Sequence, residues 1–130
     1  MKKDIDFAPV TDVYITIVKD NEETWKVYLL NRSINRLENV MITSTGYGQV
    51  EKENQQTSTL RHAIPYLDPG DFALVEPIHP DVFHLTNQYW VSFYIANKVF
   101  DKKYLFVPHS IKEENLIYIE ELDQKGVLHS

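Results

Sequence analysis

The chain has 130 residues, and 13 Lys and Arg against 19 Asp and Glu leave a formal charge of −6. Hydrophobic residues make up 43% and charged residues 25%, the balance of an ordinary soluble globular protein, and the length fits one domain over residues 1–130. The absence of cysteine excludes disulfides, thiolate metal sites and a cysteine nucleophile, and no apolar run approaches the ~20 residues of a membrane helix.

The opening Met1-Lys2-Lys3-Asp4-Ile5-Asp6 has no apolar segment behind its lysines, as a secretory signal would, so cytoplasm is the expected compartment. Period-two alternation begins soon after. Val13, Ile15 and Ile17 share one face, and Tyr14, Thr16 and Val18 the other. Asp20-Asn21-Glu22-Glu23 suits a turn, after which Trp25, Val27 and Leu29 alternate with Lys26, Tyr28 and Leu30. The two segments read as an antiparallel pair. Val40-Met41-Ile42-Thr43-Ser44-Thr45 is a third strand, which Gly46-Tyr47-Gly48 is expected to end. Residues 49–57 are the most polar stretch and read as an exposed, mobile loop.

Leu60, His62 and Ile64 form a further strand that Pro65 confines to an edge or a strand end. Asp68-Pro69-Gly70-Asp71 has the residues of a type II turn. Phe72-Ala73-Leu74-Val75 follows as a strand up to Pro77, with Glu76 in phase with Phe72 and Leu74 and Arg61 as its expected ion-pair partner. Residues 78–85 read as a crossing loop with one helical turn around Asp81. The longest strand candidate is 89–100, with Val91, Phe93, Ile95 and Val99 on one face. Asp101-Lys102-Lys103 is the preferred hairpin turn into Tyr104-Leu105-Phe106-Val107, and Asn97-Lys98 is the competing one.

Residues 108–130 read as a C-terminal tail. Ser110-Ile111-Lys112-Glu113 matches a capping box for a short helical turn, Leu116-Ile117-Tyr118-Ile119 is an added strand, and Gly126 marks a last turn. About seven short strands separated by turn signals predict an all-β fold, an antiparallel immunoglobulin-like β-sandwich. Trp25, Phe72, Phe93 and Phe106 fall on inward phases and would fill the space between its sheets.

Chemistry-bearing motifs are sparse. His79, Asp81 and His84 bring two imidazoles and a carboxylate into one loop, and with His62 or His109 they could hold zinc for a small hydrolase. Their spacing matches no metal motif, and surface histidines are the ordinary reading. No serine lies in a nucleophile elbow. Glu113-Glu114 and Glu120-Glu121 read as solvated acidic pairs rather than acid–base machinery. No cofactor motif is present, and none is expected. Lys98, Lys102 and Lys103 are the one basic cluster, interleaved with Phe100 and Tyr104, an arrangement that could stack a nucleotide base. The −6 charge and a pI near 5.3 argue against nucleic acid as the partner.

Four stretches resemble a group of small uncharacterised bacterial proteins, some of which carry the label phenylalanyl-tRNA synthetase alpha subunit. They are Trp25-Lys26-Val27-Tyr28-Leu29-Leu30-Asn31, the run from Glu38 through Gly48, Tyr89-Trp90-Val91-Ser92-Phe93-Tyr94-Ile95, and Lys125-Gly126-Val127-Leu128. The resemblance runs along nearly the whole chain and implies a freestanding β-rich protein. The class II synthetase motifs need arginine-containing and glycine-rich stretches. Arg32, Arg36 and Arg61 are the only arginines and glycines number four, so no synthetase residue carries over.

The expected role is therefore a non-catalytic binding module, its partner another protein or a second copy of the chain. Tyr47, Tyr94, Lys98, Lys102, Lys103 and Tyr104 are the candidate contact residues, with outward-facing Tyr14 and Tyr28 as further anchors. The alternative is an RNA-associated, tRNA-related accessory protein that uses the Lys98 to Tyr104 segment.

Overall fold

In the computed structural model, which describes residues 10–130, β1 (Val13–Lys19) pairs antiparallel with β2 (Trp25–Asn31). The alternation has the expected result: Val13, Ile15 and Ile17 lie on the buried side with Trp25, Val27 and Leu29. The polar loop between them closes on Asn21, whose Oδ1 accepts from the backbone N–H of Glu23 and of Thr24, each at 2.9 Å.

The chain then crosses to a second sheet. β3 (Leu37–Val50) runs 14 residues, straight through Gly46-Tyr47-Gly48 rather than ending there. It folds back as β4 (Glu53–Gln56), so the expected loop at 49–57 is a hairpin, exposed as anticipated. Its turn residues Glu51 and Lys52 both have positive φ, 50° and 68°, as a two-residue type I′ turn requires. β5 (Leu60–Leu67) pairs with the first half of β3 and continues across Pro65. Proline is tolerated because β5 is an edge strand and Pro65 falls where the ladder skips Asn39, a bulged residue at φ 49°.

Asp68-Pro69-Gly70-Asp71 makes the expected turn, with Gly70 at φ 80° and the Asp71 N–H donating to the Asp68 carbonyl at 3.1 Å. The turn returns the chain to the first sheet as β6 (Phe72–Ile78). Here a bulge opposite Val27 and Tyr28 shifts the phase, burying Val75 and Ile78 and turning Phe72 and Leu74 outward. The expectation of an inward Phe72 fails for that reason; its ring packs edge-on against Tyr28 at 5.9 Å. A single 3₁₀ turn, Pro80–Val82, lies in the crossing loop.

β7 (Thr86–Ile95) and β8 (Lys98–Phe106) then form a hairpin that turns at Ala96 and Asn97, one residue before the competing choice and well before Asp101-Lys102-Lys103. Both turn residues have positive φ, 49° and 67°. The change of turn moves Val99 to the outer face and sends Phe100 and Tyr104 inward, beside Phe106, which is inward as expected.

The C-terminal segment is more than a tail. β9 (Ile117–Ile119) and β10 (Gln124–His129) complete the first sheet, with β10 seated between β1 and β9. Gly126 lies inside β10 rather than at a turn, because a Cβ there would stand 2.5 Å from Thr16 Oγ1. The turn is made by 3₁₀ residues Glu120–Leu122 and by Asp123 at φ 50°. No capping box forms at Ser110: its hydroxyl donates to the Val107 carbonyl, and the 3₁₀ turn starts later, at Glu113.

The result is all-β, with ten strands among the described residues rather than about seven, in two five-stranded antiparallel sheets. Sheet A has the order β6-β2-β1-β10-β9. Sheet B has the order β4-β3-β7-β8, with β5 also on β3. Their inner faces share one core that includes Ile15, Ile17, Val27 and Leu29 from A and Ile42, Tyr89, Val91, Phe93 and Phe106 from B. Trp25 closes one end, edge-on to Phe83 at 5.4 Å. Among the described residues no helix is long and apolar enough to cross a membrane.

Candidate functional site

The outer face of sheet B is built by alternation alone. Along β7, Tyr89, Val91 and Phe93 enter the core, so Trp90, Ser92 and Tyr94 must point away from it. Register brings Thr43 and Lys103 level with Trp90, Met41 and Asp101 level with Ser92, and Glu38 and Val99 level with Tyr94. Met41, Trp90, Tyr94, Val99 and Leu105 are all exposed on these three adjacent strands, Trp90 by 43% and Val99 by 59%. Tyr47 extends the patch at one end, its hydroxyl 3.4 Å from Gln88 Oε1. Lys103 Nζ stands 4.7 Å from the Trp90 ring centroid, and the Arg36 guanidinium 3.8 Å from that of Tyr66.

Three of the candidate contact residues therefore share this face: Tyr47, Tyr94 and Lys103. Lys98 is exposed at the hairpin end, level with Ile95 on the inner phase. Lys102 also takes the inner phase and reaches the Val10 carbonyl at 3.5 Å. Tyr104 is no contact residue at all. It is fully buried, its hydroxyl donating to the Val13 carbonyl at 2.6 Å, and burial pushes its pKa well up. Phe100 stacks inward on Phe93 at 5.8 Å, so neither aromatic of the basic cluster is free to stack a base. Tyr14 and Tyr28, the further anchors, are half-buried on sheet A. Reading the tight turn at Asn97-Lys98 would have revealed this, since it reverses the phase of all of β8.

The histidine loop does not converge. His79 Nδ1 accepts the Asp81 N–H at 3.0 Å and so caps the 3₁₀ turn, while His84 Nε2 faces Gln55 Oε1 at 3.0 Å. Among the described residues no three His, Asp or Glu side chains are grouped to hold a metal ion.

A second polar cluster lies at Glu76, whose side chain is 10% exposed. The β6 bulge, not simple alternation, aims it. Oε1 accepts from Ser44 Oγ at 2.8 Å and meets His62 Nε2 at 2.7 Å; Oε2 accepts from the Tyr89 hydroxyl at 3.1 Å. The expected partner Arg61 alternates to the other face, level with Thr43, so His62 takes its place. Burial, and then the nearby carboxylate, push the Tyr89 pKa well up, which keeps the phenol a donor. Nearby, Asn87 is 5% exposed and its Nδ2 donates to the carbonyls of Val82 at 3.0 Å and Leu85 at 3.3 Å.

Comparison of the chain with known family models, curated proteins and solved structures gives no match.

Proposed function

We propose that the chain is a non-catalytic binding module that docks another protein on the outer face of sheet B. The contiguous exposed patch of Trp90, Tyr94, Met41, Val99 and Leu105 carries this reading. Patches of this kind on the middle of a sheet mark interaction sites more often than isolated surface apolar residues do. Trp and Tyr are also the side chains most often found as anchors. Arg61 and Lys103 on this face stand against Glu38 and Asp101, and Arg36, over Tyr66, is paired with Asp68 at 3.6 Å, so the face is near neutral on a chain of net charge −6. The exposed cations Arg61 and Lys103 suit acidic groups on that partner. The immunoglobulin-like grouping belongs to the same proposal, supported by two facing antiparallel sheets whose connections pass between them.

The test is affinity capture with the parent and with a Trp90→Ser, Tyr94→Ser double variant of equal melting temperature. A protein recovered by the parent and lost with the variant supports the reading; equal recovery by both overturns it. Concentration-dependent sedimentation of the parent alone would replace the partner with a second copy. The RNA-associated reading rests on Lys103 standing over Trp90 and is examined with tRNA at two salt concentrations. Binding that weakens with salt and disappears in the variant would put RNA in the protein's place.

A further inference from the structure

Away from the docking face, a cleft of about 300 Å³ opens beside Glu76, between Gly46 and Thr57 on one side and Pro77 and Val82 on the other. Two acceptors line it with capacity to spare. The carboxylate of Glu76 offers about four lone-pair positions. Ser44 and His62 occupy those of Oε1, and Tyr89 takes one of Oε2. One position on Oε2 is left. Asn87 is oriented by its own donors: carbonyls only accept, so Nδ2 must face Val82 and Leu85, and Oδ1 is turned the other way. Among the described residues no donor reaches that oxygen, although the side chain is almost wholly buried. Such an orphaned acceptor is costly unless something fills it.

The cleft is also short of positive charge. Among the described residues neither lysine nor arginine lines it, and His79, largely exposed, already accepts from Asp81. His62 meets the Glu76 carboxylate at Oε1, while Oε2, the oxygen with a position left, has no cation beside it among the described residues. We propose that the cleft binds a small organic cation bearing a primary ammonium group, with Glu76 as counter-ion and Asn87 Oδ1 as second acceptor. An ammonium brings three donors and no acceptor, the complement of what the cleft presents. The volume, at the low end for ligand sites, restricts the occupant to an alkylamine of a few carbons. Gly46 contributes by lacking a side chain: a Cβ there would lie 3.2 Å from Asn87 Oδ1 and 3.0 Å from Thr57 Cγ2.

Putrescine and the uncharged 1,4-butanediol are titrated into the isotope-labelled full chain while the amide signals of Gly46 and Asn87 are followed by NMR. Putrescine is expected to shift them with a dissociation constant on the order of 1 mM, the range open to so small a ligand, and the diol to leave them in place. Glu76→Gln, which keeps the shape and removes the charge, should weaken putrescine by about tenfold or more, since it exchanges a charge-assisted hydrogen bond for a neutral one. Gly46→Ala should weaken it by obstruction with Glu76 intact, and decides the matter if the Gln variant does not fold. No shift with putrescine, an equal response to the diol, or unchanged binding by the variants overturns the proposal. The Trp90→Ser, Tyr94→Ser variant should bind putrescine as the parent does, so this cleft and the docking face fail or stand separately.

Discussion

The two sheets treat their outer faces differently. On sheet A the central outward residues Thr16, Val18 and Leu30 are buried, and the exposed apolar side chains, Phe72, Leu74 and Ile117, sit on the edge strands β6 and β9 with three strands between them. On sheet B the exposed apolar residues lie on β5, β3, β7 and β8, which are successive neighbours. Similar residue types thus give scattered spots on one sheet and a continuous patch on the other. Sheet A closes its own face: Gly126 lets Thr16 and Val18 settle over β10, Thr16 Oγ1 donates to the Val127 carbonyl at 3.1 Å, and Arg32 ties the start of the β2–β3 connection to Glu121. Among the described residues sheet B has no such cover. An uncovered central face is where a partner would bury most area for least rearrangement.

The sharpest way to break this comparison lies within a single strand. Phe93 and Trp90 are both large aromatics on β7, one 1% and the other 43% exposed. Phe93→Ala should cost about 3–5 kcal/mol in urea denaturation, through lost burial and the cavity left behind. Trp90→Ala should cost under about 1 kcal/mol, of which the Lys103 contact is a part. Comparable losses at both positions would mean that Trp90 is covered and the patch does not exist.

What the sequence revealed, and what it hid, follows the same physics. Strict alternation was legible: Val13, Ile15, Ile17, Trp25 and Phe93 are core residues as their phase requires, and Asp68-Pro69-Gly70-Asp71 turns where its proline and glycine direct. Irregularities were not. The bulges at Asn39 and beside Val75 each shift a phase, and the two-residue hairpin turns of β3–β4 and β7–β8 use non-glycine residues at positive φ, Glu51-Lys52 and Ala96-Asn97, with no Asn-Gly signal. The candidate face inherited those errors. Tyr47, Tyr94 and Lys103 lie on the outer face of sheet B, Tyr104 is buried because the turn falls at Ala96-Asn97, and Trp90, no candidate from the sequence, takes the outer phase that its alternation with Val91 requires.

Two smaller changes sharpen the contrast between closed and open faces. A Cβ at Gly126 would meet Thr16 Oγ1 at 2.5 Å and Val18 Cγ1 at 2.8 Å, both side chains being buried. Gly126→Ala should therefore destabilise by about 1–3 kcal/mol, as overpacking does, and its midpoint of urea denaturation should fall with an unchanged slope. A neutral result would show sheet A's outer centre to be loose rather than closed. At the β7–β8 turn the sign reverses. Ala96→Asn with Asn97→Gly supplies the residues a type I′ turn prefers where φ is already 49° and 67°. The double variant should gain about 1 kcal/mol by relieving left-handed strain, with the register that holds Lys103 over Trp90 intact. A loss would mean that another turn is used.

The least effect belongs to the clasp over sheet A. Arg32 Nε and an Nη bond the two Glu121 oxygens at 2.7 and 2.9 Å, with the carboxylate largely buried and the guanidinium a third exposed. Hydrogen bonding to Arg32 holds the Glu121 carboxyl below its usual value of 4.5, against the opposing pull of burial. A group whose folded pKa is depressed stabilises fully above its unfolded value and loses that contribution as pH falls through the folded one. Arg32→Met should accordingly lower stability by roughly 0.5–1 kcal/mol at pH 7, solvent at the guanidinium keeping the figure small. As pH drops below about 4.5 the parent loses the same increment and the two unfolding curves should draw together. A gap that stays constant through that range would assign the clasp's contribution to packing of the Arg32 stem on Tyr14, whose ring centroid lies 5.1 Å from the guanidinium carbon, rather than to charge.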